Sequence, residues 1–497
     1  MYTLYYGTIV HTPTISSIEI NINTLVGVNS NGTIDFIHKN LSKDVNPIKF
    51  FFNNHSPSDP IKEFKFNDNS QNPLQFFCPG FIDTHIHASQ YPNLGIGIGV
   101  PLLDWLKQYT FPMEESFKKE NLLMAEDVYN KVISRTLSCG TTCASYFTTI
   151  DYDTTTLFTD LLLKHGQRGF VGKVCMDHNE PYPQYSESFE QSIESQQKIL
   201  NYIESKNSKI NARYSEKKGT LSTCNHDHSR LVTPIITPRF APVCSDPLLQ
   251  TLGAISLANS LPIQTHIAEN LKEVALMKEL FPQFENYASV YDHYQLLTNR
   301  TILAHAVHLD DDECKIISER GCTISHCPTS NSFLSSGEAP IKKYLKHNIN
   351  IALGTDLSGG FDSSILGIMK HSILVSHHLA MPEEIDDSNK LSIKEVMYMA
   401  TQGGAKAVGL GDTIGTFHVG KQWDAQLIDL ASSNSYLDVF EWQVPDTKGD
   451  PTKAVEKINE LLGRWIFNGD DRNCMKVWVN GNLVVDKEDT SDGWVIV

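Results

Sequence analysis

Cys78-Pro79-Gly80-Phe81-Ile82-Asp83-Thr84-His85-Ile86-His87 carries a short apolar run into two histidines one residue apart. In an extended strand, residues two apart project to the same side, so His85 and His87 can reach one point, as two ligands of one metal ion must. The spacing alone is weak. Nineteen histidines in 497 residues give about 0.7 such pairs by chance, and a second pair, His226 and His228, stands in a polar stretch. The meaning of the first pair depends on what the rest of the chain places beside it.

Working outward, short apolar runs recur at residues 81–87, 141–147, 170–176, 232–240, 263–269, 301–308, 322–327 and 349–356. Helix-compatible segments separate them, including amphipathic patterns at 126–137 and 271–280. Eight strands alternating with helices predict an α/β protein with a parallel (β/α)8 TIM-like barrel, although an open doubly wound sheet produces a similar pattern. The polar strand ends favour the barrel. Nearly every run finishes in His, Arg, Glu or Asp, and barrel enzymes gather their chemistry at the C-terminal ends of the strands.

Residues 1–77 read as β-rich, with Asn31-Gly32 as a hairpin signal and a turn-like surface loop at 53–60. After a helix expected at 392–408, the chain returns to β character, with a strand at 423–430 and a hairpin at 477–485 turning on Asn480-Gly481. The economical organisation is a barrel at 78–408 inserted into a small β-sandwich domain built from 1–77 and 409–497. Residues 201–230, rich in Ser, Lys, Asn and His, read as a solvated helix end followed by an irregular insertion. His226, His228 and Cys224 lie there without strand context, so an exposed loop without a site is expected.

Composition narrows the function. A net charge of −17 argues against nucleic acid or an anionic membrane as partner. No secretory signal or membrane-length apolar stretch is visible. Ten scattered cysteines with no Cys-x-x-Cys fit a reducing, cytoplasmic setting.

Four strand ends can carry chemistry together: His85 and His87 on the first, His266 and Glu269 on the fifth, His305 on the sixth and Asp356 on the eighth. Imidazoles with one carboxylate suit Zn²⁺ or Fe²⁺ with a coordination position left for water, whose pKa a metal lowers to about 7. Glu269 is placed to move protons. His305 could be a ligand or a hydrogen-bonding partner of the attacking water. Any one of these residues is more often a satisfied polar group at a strand end, but all of them in phase are not.

Other motifs fail on inspection. Gly415-Thr416-Phe417-His418-Val419-Gly420-Lys421 imitates a phosphate loop, but Gln422 stands where Ser or Thr is needed. Gly95, Gly97 and Gly99 lack dinucleotide-fingerprint spacing and read as a flexible loop. His178-Asn179-Glu180 resembles half of a small deaminase zinc site whose Pro-Cys-x-x-Cys half is missing.

From about residue 79 to 485 the sequence resembles the amidohydrolase superfamily, and within it the branch that deaminates guanine. The resemblance is carried by the 79–91 segment ending His87-Ala88-Ser89-Gln90-Tyr91, by Pro101-Leu102-Leu103-Asp104-Trp105-Leu106, and by the 166–177 segment. It continues through Thr237-Pro238-Arg239-Phe240, His266-Ile267-Ala268-Glu269-Asn270, His326-Cys327-Pro328-Thr329-Ser330-Asn331 and Gly354-Thr355-Asp356. The His-Ala-Ser-Gln and Thr-Pro-Arg-Phe segments point to guanine.

The resemblance implies one Zn²⁺ per chain on His85, His87, His266 and Asp356, with Gln90, Arg239 and Phe240 holding the purine and His87, His266, Glu269 and Asp356 bordering it. Glu269, His305 and Asp356 would be catalytic, and guanine and water would give xanthine and ammonia. The absence of a lysine at the end of strand four argues for one metal rather than two. A homodimer is implied as well. Competing readings are a relative acting on another purine, a nucleoside or a triazine, and a non-catalytic scaffold, which would be expected to have lost ligands.

Overall fold

The computed structural model describes residues 2–496 except 43, 55–63, 219–229, 382–386, 434, 448 and 489–494. The expected loop at 55–60 and the decoy residues Cys224, His226 and His228 therefore lie outside the described residues.

Eight parallel strand positions form the centre of the molecule. Phe81–His87, Thr141–Phe147, Arg168–Gly172 and Val232–Pro234 pair in order as one four-stranded sheet, and Ile263–Ile267, Thr301–His305, Thr323–His326 and Asn350–Leu353 as another. A short Val174–Cys175 and Thr237–Pro238 pair extends the third and fourth positions. The two halves meet through the Ile236–Ile263 bridge on one side. On the other side the Asp356 N–H donates to His85 O at 2.8 Å and the His87 N–H to Leu357 O at 3.0 Å. These junctions make the sheets a (β/α)8 barrel, as the alternation and polar strand ends predict.

The barrel is filled from the bottom upward. Ile82, Cys143, Phe170, Ile235, Ile302 and Ala352, from six strand positions, form one buried cluster with Ala405 and Val408 below them. Gly404 allows that plug to seat, because a Cβ there would stand 2.8 Å from Ile82 Cβ. Above the plug lies a hydrogen-bonded polar layer. Ser145 Oγ donates to Gln264 Oε1 at 2.7 Å, Gln264 Nε2 donates to Thr237 Oγ1 at 3.0 Å, and the Thr84 and Ser325 hydroxyls pair at 2.6 Å. Paired this way, these groups avoid the penalty of buried unsatisfied polar atoms. The site occupies the next level up.

Both chain ends contribute to a single nine-stranded sheet in which Gln75–Pro79 joins Tyr2–Thr14 to Ala425–Asp429. The Cys474–Val479 and Asn482–Asp486 hairpin turns at Asn480 and Gly481, both with positive φ, as a two-residue hairpin turn requires. Arg168 fastens this end sheet to the barrel: its Nε donates to Asp424 Oδ2 at 2.6 Å with both side chains buried, and Asp424 Oδ1 accepts from Asn480 N at 2.7 Å.

Several elements differ from expectation. A helix at Pro47–Asn54 ends inside the segment read as a loop, whereas the helix Phe189–Lys218 supplies the helix end expected at the start of 201–230. The 18-residue helix Pro451–Asn468 stands in a tail read as β, capped by the Asp450 side chain with Pro451 at its first turn. The helix expected at 392–408 is present, with a wider π turn at Met399–Gly403. No described helix is long and apolar enough to cross a membrane.

Candidate active site

The strand ends singled out from the sequence converge on one cavity; of their side chains only His85 is not part of its lining. His87, Gln90, Arg239, Phe240, His266, Glu269, His305 and Asp356 line it, with Leu102, Trp105, Leu106 and Leu334 as an apolar wall. Neighbouring strands in register place these groups side by side, as where Ile267 pairs with His305. The chain leaves its strands abruptly at the site: Ala268, His305, Ala306 and Asp356 all adopt left-handed backbone conformations, with φ of 46°, 71°, 50° and 46°. Non-glycine residues in that region are strained by about 1–3 kcal/mol each, and such strain concentrates at functional sites.

One ligating atom from each of His85, His87, His266 and Asp356 lies within 4.8 Å of all the others. Asp356 Oδ1 is 3.1 Å from His85 Nε2 and 3.3 Å from His87 Nε2, and His87 Nε2 is 3.3 Å from His266 Nε2. The His266 Nδ1 contacts the Arg239 carbonyl at 2.6 Å. A carbonyl only accepts, so Nδ1 carries the proton and the neutral ring turns the lone pair of Nε2 toward the cluster.

The ionisation states suit a cation. Burial drives the His85 imidazole down to about 3 and His266 well below its ordinary range, with neighbouring imidazoles adding to the effect on His266. Burial would raise the Asp356 carboxyl, but His85, His87 and His305 outweigh it and hold it well below the usual range. Neutral imidazoles beside a carboxylate are the form in which these groups bind metal. The buried Nε2 of His85 makes no hydrogen bond and faces Asp356 Oδ1 at 3.1 Å, so two lone pairs are turned toward each other, an arrangement a cation between them would satisfy by coordination. The donor set fits a divalent metal of the Zn²⁺ or Fe²⁺ type.

Groups behind the cluster fix it. Asp83, buried and pushed up to about 7 by that burial, accepts from the His85 N–H at 3.2 Å, the Thr355 N–H at 3.0 Å and the Thr355 hydroxyl at 2.5 Å. It joins the first and last strands immediately below the ligands. Asn331 Oδ1 contacts His305 Nδ1 at 3.0 Å, which aims His305 Nε2 at Glu269 Oε2, 3.5 Å away, and Asp356 Oδ2, 3.7 Å away. Glu269 is pushed up to about 7 by burial, with Asp356 adding and His305 opposing. Its Oε1 accepts from Ser336 Oγ at 3.1 Å, and its N–H is held by Glu273 Oε2 at 2.8 Å, where the Leu271–Leu280 helix begins.

A model of the amidohydrolase family matches residues 76–484. The chain belongs to the amidohydrolase family. This amidohydrolase is 43% identical over 486 residues to a probable guanine deaminase of Schizosaccharomyces pombe, covering 97% of this chain and 83% of that one. It is 40% identical over 482 residues to the guanine deaminase of Homo sapiens, covering 97% and 96%. In structure it is similar to guanine deaminase from C. acetobutylicum with bound guanine in the active site, with a TM-score of 0.78 and 32% identity over 97% of this chain and 100% of that one.

The amidohydrolase site also contains residues to which the sequence assigns no role: Asp83, Asn331, Ser336, Glu273, and Glu114, whose carboxylate accepts from Gln90 Nε2 at 2.8 Å and Arg239 Nη1 at 2.6 Å. Asp83 and Asn331 lie within the 79–91 and 326–331 motifs, so the signal was present. Glu114, in a stretch without strand phase, offered none. Lys421, the lysine of the phosphate-loop imitation, is held by Gln402 Oε1 at 3.0 Å, Gly411 O at 2.7 Å, Ile414 O at 3.0 Å and Thr416 Oγ1 at 2.6 Å. It closes a turn.

Proposed function

We propose that this chain is a hydrolytic guanine deaminase converting guanine and water to xanthine and ammonia, with one Zn²⁺ per chain on His85, His87, His266 and Asp356. One observation carries the reading: the metal-binding cluster, the buried Glu269 and the Gln90–Arg239 donor pair border a single cavity. Similarity over nearly the whole chain to relatives named guanine deaminase supports the substrate.

When bound, the metal supplies a Lewis-acid centre that makes the attacking water acidic at neutral pH. Arg239 and Gln90 donate to the guanine acceptors and Phe240 packs against the ring, fixing C2 over the cluster. Glu269 takes a proton from the water and delivers it to N3 as oxygen bonds to C2. His305, aimed by Asn331, orients the water. Asp356 passes the second proton to the 2-amino nitrogen, the C2–N bond breaks, and ammonia leaves. Leu102, Trp105 and Leu106 exclude bulk water, which strengthens each of these polar contacts.

In this reading residues 78–408 are the catalytic barrel, and 1–77 with 409–497 form the supporting domain. All nine described cysteines are buried and free, which supports a reducing, cytoplasmic setting. The family resemblance supports a homodimer, to be measured by light scattering. Ammonia release from guanine, adenine, adenosine, guanosine and cytosine tests the substrate: guanine alone is expected to react rapidly, and rapid release from any other member with none from guanine overturns the assignment.

A further inference from the structure

Gln90 and Arg239 converge on one side chain. Gln90 Nε2 donates to Glu114 Oε1 at 2.8 Å, while Arg239 Nη1 donates to Glu114 Oε2 at 2.6 Å and Nη2 to Oε1 at 3.2 Å. Glu114 is fully buried, on the short helix Phe111–Glu115, and stands behind the two residues that line the cavity. The same helix places the Phe111 ring 5.1 Å from the Arg239 guanidinium carbon. The guanidinium is therefore held both at its edge and across its face.

Two consequences follow from hydrogen-bond chemistry. A carboxylate only accepts, so the Gln90 amide must turn its NH₂ toward Glu114; its oxygen accepts from the Ser358 N–H at 3.4 Å. The second N–H of that amide, and the guanidinium N–H groups that Glu114 does not engage, are the donors left for a ligand. Glu114 also cancels the charge of Arg239. Burial would raise its carboxyl, but Arg239 outweighs burial and keeps it ionised and paired. The cavity wall thus offers strong donors without net charge, which suits the carbonyl of a neutral base better than an anion.

We propose that Glu114 is a positioning residue that sets selectivity for a neutral 6-oxopurine, acting through Gln90 and Arg239. The inference rests on the guanine reading above. Glu114→Gln keeps the shape and removes the charge, while Glu114→Asp keeps the charge on the buried pair and withdraws its reach. Each is measured as the zinc-loaded full chain, with metal content and melting temperature recorded alongside activity. Competitive inhibition constants are taken for hypoxanthine, which carries the 6-oxo group, and for purine, which lacks it; neither has an amine to lose.

Glu114→Gln is expected to lower kcat/KM for guanine about 100-fold, mainly through KM, because loosened donors weaken binding of the ground state and the transition state alike. Hypoxanthine binding should weaken by a similar factor while purine binding changes little, and Glu114→Asp should move both in the same direction by less. Equal weakening of hypoxanthine and purine, or no change in either, overturns the proposal. Failure of the unmodified protein to deaminate guanine is a different result and overturns the functional reading instead.

Discussion

The Asp356 N–H donates to the His85 carbonyl at 2.8 Å, and the same two residues meet again through their side chains, Oδ1 to Nε2, at 3.1 Å. The bond that joins the last strand to the first therefore also positions two members of the candidate metal cluster. If that cluster holds the metal, fold closure and metal affinity are coupled at this point. Asp356→Asn keeps the backbone bond and the side-chain shape but removes the charge, so metal affinity should fall by more than about 100-fold, beyond the loss typical of residues that only support ligands. Metal content after dialysis against a competing chelator reads this directly.

Glu269→Gln separates chemistry from binding. Glu269 is not one of the clustered ligands, and its amide substitute can still accept from Ser336. Metal content and the melting temperature should stay near those of the unmodified protein while kcat falls by about 10²–10⁴-fold, the usual contribution of a positioned proton carrier. Undiminished turnover would remove Glu269 from the reaction.

Barrel and end sheet are joined by the buried Arg168–Asp424 pair, which Gln422 also contacts. Asp424→Ala leaves the guanidinium buried without its counter-charge and should destabilise the protein by about 3–5 kcal/mol. Replacing both residues with apolar ones of similar volume should recover much of that loss. Chemical denaturation of the two variants measures the difference.

Acid sensitivity has a named contributor. His11, in the end sheet, is driven down to about 4 by burial, with Glu19 opposing, and its Nδ1 accepts from the Phe417 N–H at 3.3 Å. Its folded pKa lies below the unfolded value, so its contribution is intact above about 6.5 and is lost as pH falls toward 4. At pH 5 the loss should be about 2 kcal/mol relative to pH 7. His11→Asn should show a correspondingly smaller acid decline in denaturation midpoint, and an unchanged decline would assign the effect to other groups.

What was legible in the sequence follows from geometry. Strand ends announce themselves because an apolar run with a polar terminus has a definite phase, so the sequence alone places His85, His87, His266, Glu269, His305 and Asp356 at one mouth. Glu114 lacks that phase. It reaches Gln90 and Arg239 from a short helix between strands, where nothing distinguishes it from its neighbour Glu115, which accepts from the Tyr182 hydroxyl at 2.9 Å instead. The Pro451–Asn468 helix carries a start signal in Asp450 and Pro451, but β-forming stretches on both sides mask it in the sequence. Pro47–Asn54 is short and flanked by turn-forming residues, so its propensity is outweighed locally.

The most direct test of the central claim is a zinc titration of chelator-stripped protein, following ammonia released from guanine against bound metal. Activity should be absent without metal, rise in proportion to bound zinc and level off at one ion per chain. Full guanine turnover by the stripped protein, or a rise that continues to two ions, would contradict a single-metal guanine deaminase.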